Sequence, residues 1–330
     1  MRTIGIDVSK ATLDVVLQDE QGKLVQEERV KNSCVGLRSL LRKWARQGHC
    51  DTTALVCLEP TGHYSHGVVK TLLDLGHPTW LAHATDIRLS IGMQRGKSDK
   101  VDARRIAQYA HRFRDKARLV GQSHVEFAEL KALLALRERL VKERGKNTAQ
   151  LKDNVLYLTG NTKDLVKAEL QRQLKALELS ITKLDRAIAV FLRKDSALQG
   201  RNKLAQTVSG IGPVLASELI AHTEGFTRFD SPRQLVCYAG VAPFERTSGS
   251  SVRGKTATSS FANHRLKSLL KLAALAAVRV PGDLQDYYHR KIAQGKRPIV
   301  VLNNVAGKII HHLWAVIHSG RPYQPRLHMS

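Results

Sequence analysis

Four carboxylates in the first third of the chain have the types and surroundings of a site for a hard cation. Asp7 interrupts an apolar run, Thr3-Ile4-Gly5-Ile6-Asp7-Val8, and Glu59 closes another, Ala54-Leu55-Val56-Cys57-Leu58-Glu59, just before Pro60. Asp99 and Asp102 lie three residues apart at the expected start of a helix, which puts both on one face. Acids at the ends of buried strands are costly to desolvate, and two carboxylates on one helix face repel unless a cation lies between them. Carboxylate oxygens suit Mg2+, and paired metals clamp both sides of a phosphate, so the pattern implies magnesium-dependent phosphodiester chemistry. Asp99 alone reads as a helix cap; the combination with Asp7 and Glu59 argues for metal.

Three further segments carry groups that act on phosphate. Ser209-Gly210-Ile211-Gly212-Pro213 resembles the turn of a helix-hairpin-helix, in which Gly210 and Gly212 admit a close backbone approach and the next helix start holds a DNA phosphate. Thr247-Ser248-Gly249-Ser250-Ser251-Val252-Arg253-Gly254-Lys255 reads as a polar loop by composition. Its cations, Arg246, Arg253 and Lys255, give it the means to bind a phosphate beside a serine hydroxyl, with Ser248, Ser250 and Ser251 all open as nucleophiles. A basic tract, Arg104, Arg105, Arg112, Arg114, Lys116 and Arg118, follows the acidic pair and suits a nucleic-acid backbone; a solvated helix face is the plainer reading. His63, His66, His311 and His312 make no convincing ligand set.

These residues need a scaffold, and the patterning supplies one. Residues 2–8, 12–18 and 24–30 read as three short strands joined by hairpin chemistry, followed by a helix over 35–47, a strand over 53–59, a helix over 64–75, a strand over 79–82 and a helix from Asp99 to about Phe113. Three antiparallel strands followed by αβαβα is the order of the ribonuclease-H-like fold, an α/β class with an acid on the first strand, one after the fourth and the last on a late helix. Residues 124–195 are helical and charged, broken at Leu158-Thr159-Gly160-Asn161. Stripes of Leu130, Leu133, Leu134, Leu136 and Leu140, and of Leu170, Leu174, Leu177, Leu179 and Leu184, fit either an antiparallel hairpin or pairing with a second protomer as a coiled coil. The remainder reads as a mostly α region with helices over 214–220, 263–278, 282–293 and 298–318. The expected division is 1–120, 121–199 and 200–330.

Charge narrows the function classes. The 330 residues include 53 Lys and Arg against 29 acids, a net charge of +24, which points to a polyanionic partner. Aromatics are only 5%, too few for a stacking platform on single strands as the main device. Cys34, Cys50, Cys57 and Cys237 form no C-x-x-C pair, so neither zinc nor a disulfide framework is expected. No leader peptide is visible and no apolar run is read as membrane-spanning, the stretch around 269–278 being too short. The expected location is the cytoplasm, associated with the nucleoid, with no membrane partner.

Together these motifs resemble the DEDD transposases of bacterial insertion sequences, the bridge-RNA-guided recombinases. The first region carries Gly5-Ile6-Asp7-Val8-Ser9-Lys10, Glu59-Pro60-Thr61-Gly62 and Lys97-Ser98-Asp99-Lys100-Val101-Asp102-Ala103, similar to the family's RuvC-like catalytic domain. The second carries Gly210-Ile211-Gly212-Pro213, Tyr238-Ala239-Gly240-Val241-Ala242-Pro243 and Ser248-Gly249-Ser250-Ser251-Val252-Arg253-Gly254, similar to its C-terminal transposase domain. The resemblance implies that Asp7, Glu59, Asp99 and Asp102 bind Mg2+ and that Ser248 forms a covalent phosphoserine link to DNA. It further implies that acids and serine come from different protomers of a homodimer or homotetramer, and that an element-encoded noncoding RNA pairs with donor and target DNA. Where the family shows a Lys-x-Gly-Asn step, this chain has Ser260-Phe261-Ala262-Asn263. Two alternatives stand beside this: a RuvC-like junction resolvase or nuclease using metal-activated water without the serine, and a non-catalytic nucleic-acid-binding protein.

Overall fold

The structure is a computed structural model describing residues 1–91, 99–242, 244–248, 252–257 and 262–325, without the side chains of 91, 154–156, 244–248 and 252–257. Two compact units are present, Met1–Ala128 and Glu129–Ser330.

The first unit is built on a five-stranded sheet. Strands β1 (Thr3–Val8), β2 (Thr12–Gln18) and β3 (Leu24–Lys31) form an antiparallel meander; β4 (Leu55–Leu58) and β5 (Thr79–Leu81) add in parallel beyond β1, giving the order β3-β2-β1-β4-β5. This is the order and direction expected of a ribonuclease-H-like sheet. Strand period two separates two faces. Ile4, Ile6, Val8, Leu13, Val15 and Leu17 pack under helices α1 (Cys34–Arg46) and α2 (His66–Asp74), with Trp44 and Leu72 fully buried among them. The opposite face carries Gly5, Asp7 and Val16. A short helix α3 (Ala84–Ile91), not foreseen from sequence, precedes α4 (Asp99–Arg112), which covers that second face through Ala103, Ala107, Ile106 and Tyr109.

The second unit is mostly helical. Most of α5 (Gln122–Tyr157) belongs to it and pairs with α6 (Gly160–Arg193): Arg137 binds Asp185, and Asn147, buried, donates to Gln173 at 3.0 Å. The later residue of α5 meets the earlier residue of α6, so the two are antiparallel and the intrachain hairpin is the arrangement adopted. The leucine stripes are only partly inward: Leu130, Leu134 and Leu170 are buried, whereas Leu136 and Leu179 are exposed. Then come α7 (Ser196–Ala205), α8 (Pro213–Thr223), α9 (Pro232–Tyr238), strands β6 (Phe244–Ser248) and β7 (Val252–Ala257), α10 (His264–Ala277), α11 (Asp283–Ala293) and α12 (Pro298–Ser319). In the segment read as a polar loop, residues 244–248 and 252–257 pair as antiparallel strands, with Thr247 opposite Arg253 and Ser248 opposite Val252, while residues 249–251 lie outside the described residues. A run rich in Arg, Ser, Thr, Gly and Lys offers little apolar alternation, so the strands leave a weak signal in the sequence.

One sequence expectation is corrected at α12. By length and composition this 22-residue helix is apolar enough to cross a membrane. Its apolarity serves a core: Val301, Val305, Ala306, Ile309, Ile310 and Leu313 are buried, and it packs against α7, α9, α10 and α11.

Candidate active site

The sheet places the acids. Asp7 is the last-but-one residue of β1 and faces the α4 side, because alternation puts it with Gly5 rather than with Ile6. Strands β1 and β4 run parallel with Ile6 beside Leu58, so Asp7 and Glu59 leave the same end of adjacent strands. Asp14 of β2 pairs directly with Asp7 across the antiparallel ladder.

Glycine decides how close α4 comes. A Cβ on Gly5 would lie 2.3 Å from the Ala107 backbone nitrogen and 2.4 Å from the Ala103 carbonyl oxygen, distances no side chain tolerates. With hydrogen at that position and alanines above it, α4 settles on β1, and its first turn, bearing Asp99 and Asp102, comes to the Asp7 end of the strand. The four acids named from sequence thus belong to one electrostatic cluster. Asp7 titrates near 6 instead of 3.8: partial burial is the main cause, and the charges of Asp102, Asp99, Asp14 and Glu59 add to it. Burial and then Asp102 also raise the Glu59 carboxyl, against a smaller opposing effect of His83.

Cations already hold part of this charge. Arg29 on β3 bridges Asp14 at 2.9 Å and Asp99 at 3.0 Å, and Arg105 binds Asp102 at 2.8 Å. Among the described residues, no three acid, histidine or cysteine side chains stand as a ready-made ion cradle. The donor set nevertheless fits a hard divalent cation: it is all oxygen, on rigid elements, and its mutual repulsion is relieved by a positive charge. Asp14 and Arg29 were missed in the sequence. Asp14 is an acid inside an apolar strand, the same signal that exposed Asp7, and it is 2% exposed.

The basic residues expected to track nucleic acid divide. Arg104 is paired with Glu27 and Arg105 with Asp102, while Arg112, Arg114, Lys116 and Arg118 are exposed. In the second unit, Gly210 at φ +88° is needed for packing: a Cβ there would meet the Ala273 carbonyl oxygen of α10 at 2.2 Å. Gly212, by contrast, caps the start of α8 with nothing within 4 Å, and Pro213 occupies the first helical position. Ser248 ends β6; its side chain and those of Arg246, Arg253 and Lys255 lie outside the described residues, as do Ser250 and Ser251 entirely.

Comparisons with known proteins agree along nearly the whole chain. A family model for DEDD transposases of the IS110 type matches residues 4–159, and the model for the transposase IS116/IS110/IS902 family matches residues 202–289. A pilin gene-inverting protein of Moraxella bovis is 27% identical over 98% of both chains. The transposase for insertion sequence element IS1111A of Coxiella burnetii is 23% identical over 98% of this chain and 92% of its own. Among solved structures, T. thermophilus RuvC in complex with a Holliday junction substrate aligns over 36% of this chain and 99% of its own, with TM-score 0.29 and 15% identity.

Proposed function

Because this chain belongs to the DEDD transposases of insertion sequences, we propose that it cuts and rejoins DNA through a covalent phosphoserine at Ser248, in a magnesium-dependent reaction. The observation that carries the reading is the cluster around Asp7, where five carboxylates meet and one is pushed to about 6. Such repulsion destabilises a metal-free fold and is retained where a cation or a developing positive charge makes use of it. Asp7, Glu59, Asp99 and Asp102 would hold Mg2+, which when bound neutralises and polarises the phosphate.

The serine step is balanced without a cofactor. A phosphorus–oxygen bond forms to Ser248 Oγ as one phosphorus–oxygen bond of the DNA backbone breaks. The serine proton passes to solvent, and the departing oxygen takes one up. Bond number is conserved, so a DNA hydroxyl reverses the step and reseals the strand. Transposition and gene inversion, the activities named for two relatives, both need this cut-and-rejoin cycle. Net charge +24 supplies non-specific affinity for DNA, and exposed Arg112, Arg114, Lys116 and Arg118 suit its backbone. Sequence choice would fall to an element-encoded RNA pairing with donor and target DNA, with the protein acting as a homodimer or homotetramer.

The test is to trap the protein–DNA adduct with Mg2+ and locate it by peptide mapping. The expected adduct is on Ser248 and is absent in Ser248→Ala and in Asp7→Asn. Free nicked DNA without an adduct, undiminished by Ser248→Ala, would favour hydrolysis by metal-activated water. DNA binding with no cutting under any condition would favour a non-catalytic binder.

A further inference from the structure

The hairpin β6–β7 leaves α9 after Tyr238 and returns to α10 at Asn263, and a polar cluster joins those two points. Asn263 N–H donates to the Tyr238 carbonyl at 2.8 Å, closing the chain across the hairpin root. Gly240, at φ +69°, lies so near Ala262 that a Cβ would stand 2.5 Å from the alanine methyl. Asn303 of α12 donates to the Val241 carbonyl at 2.8 Å. At the centre is His222 of α8, with its Nδ1 3.1 Å from Tyr238 Oη and 3.2 Å from Asn263 Nδ2.

The proton positions follow from the partners. Asn263 Oδ1 accepts from Leu266 N–H at 3.0 Å as the cap of α10, so its NH2 group faces His222 and Tyr238. Nδ2 lies 3.3 Å from Tyr238 Oη and donates to it, which leaves the tyrosine hydroxyl to donate to His222 Nδ1. His222 then carries its proton on Nε2, which faces Glu218 Oε2 at 3.6 Å. Glu218 is 3% exposed and also accepts from Arg265 Nε at 3.0 Å. This tautomer satisfies Tyr238 Oη and His222 Nδ1, Asn263 Nδ2 also lies 3.3 Å from His222 Nε2, and three helices plus both hairpin ends share the cluster.

We propose that His222, Tyr238 and Asn263 are positioning residues that lock the root of the Phe244–Ala257 hairpin and so fix the station of Ser248 during strand cleavage. The inference rests on the reading of Ser248 as nucleophile. A misplacement of about 1 Å at a reacting group costs on the order of 10²-fold in rate, so loosening the root costs rate without costing DNA affinity.

The test compares wild type, Tyr238→Phe, His222→Leu and His222→Asn, each purified with any RNA it carries, on a plasmid bearing the DNA that flanks the gene. Asparagine places an acceptor oxygen where histidine has Nδ1. The expected result is an adduct rate lowered by roughly 10²-fold in Tyr238→Phe and His222→Leu and largely restored in His222→Asn. Plasmid affinity should stay within about threefold and Tm within a few degrees in all four. Wild-type rates in Tyr238→Phe and His222→Leu would overturn the proposal, as would an equal loss in His222→Asn together with lost binding. Trypsin gives a second reading independent of chemistry, since Arg246, Arg253 and Lys255 lie in the hairpin. Cleavage there should be several-fold faster in Tyr238→Phe, and unchanged cleavage overturns the clamp. If wild type forms no adduct, the nucleophile reading fails, and the trypsin result still decides the clamp.

Discussion

Asp7 and Glu218 are both carboxylates drawn out of water, one in each unit, and their acidities move in opposite directions. Burial raises Asp7 and four neighbouring acids raise it further, to about 6. Burial also pushes Glu218 up, but the contacts from His222 and Arg265, with the Arg265 charge, outweigh it and leave the group below the usual glutamate range. The first cluster is frustrated and the second is satisfied. A satisfied buried charge is explained by the fold that holds it. A frustrated one asks for something from outside, and that difference supports the proposal of a cation at the acidic end of the sheet rather than at the polar root of the hairpin.

The sharpest way to break the contrast is to neutralise one member of each pair and read activity and stability together. Asp7→Asn should lower strand cleavage by on the order of 10³-fold, the scale of losing a principal electrostatic contact in a reaction centre. The same change should raise the Tm of the metal-free protein, because it removes repulsion. A fall in Tm would mean that Asp7 is structurally satisfied. Glu218→Gln should do the reverse in stability: it strips a buried partner from Arg265, whose other partner is Glu138 at 3.3 Å, and should cost about 3 kcal/mol in urea unfolding. An unchanged midpoint would show that the second cluster is not what orders its helices.

How far this contrast was legible beforehand depends on what each residue's partners are. Asp7 and Glu59 stood out because each is an acid in or at the end of an apolar run, and the five strands are legible as short apolar runs separated by turn residues. The approach of α4 was not legible: it depends on Gly5 facing Ala103 and Ala107 about 100 residues away, and nothing local announces that. Asp14 escaped because its explanation, Arg29, lies on the next strand, and only the register pairs them. The His222 cluster draws single polar residues from three helices, each ordinary in its own window. Gly210 has a packing role that its own window did not announce: its backbone approaches the Ala273 carbonyl of α10 too closely for a side chain.

Gly5→Ala sharpens the comparison by moving geometry alone. The methyl has backbone atoms on α4 in its way, so the helix must lift. The expected cost is about 1–3 kcal/mol, the usual range for overpacking, accompanied by weaker Mg2+ binding as Asp99 and Asp102 move from Asp7. Mg2+ affinity is read from the rise of Tm with concentration, which at a hundredfold excess over Kd corresponds to about 2.7 kcal/mol. Wild-type affinity in Gly5→Ala would separate the acids of α4 from the ion.

The smallest expected effect concerns Arg29, which links buried Asp14 to exposed Asp99. Its guanidinium reaches both acids at once. An ion drawing on Asp99 must compete with that second contact, which is about half exposed and therefore weak. Lysine keeps a single positive charge for Asp14 but cannot span both carboxylates. Arg29→Lys should therefore tighten Mg2+ by up to about fivefold, the equivalent of that contact, with little change in metal-free Tm. Weaker binding would assign Arg29 the other role, a prop that aims Asp99 at the ion, and the frustration at this end of the sheet would then be smaller than the titration of Asp7 implies.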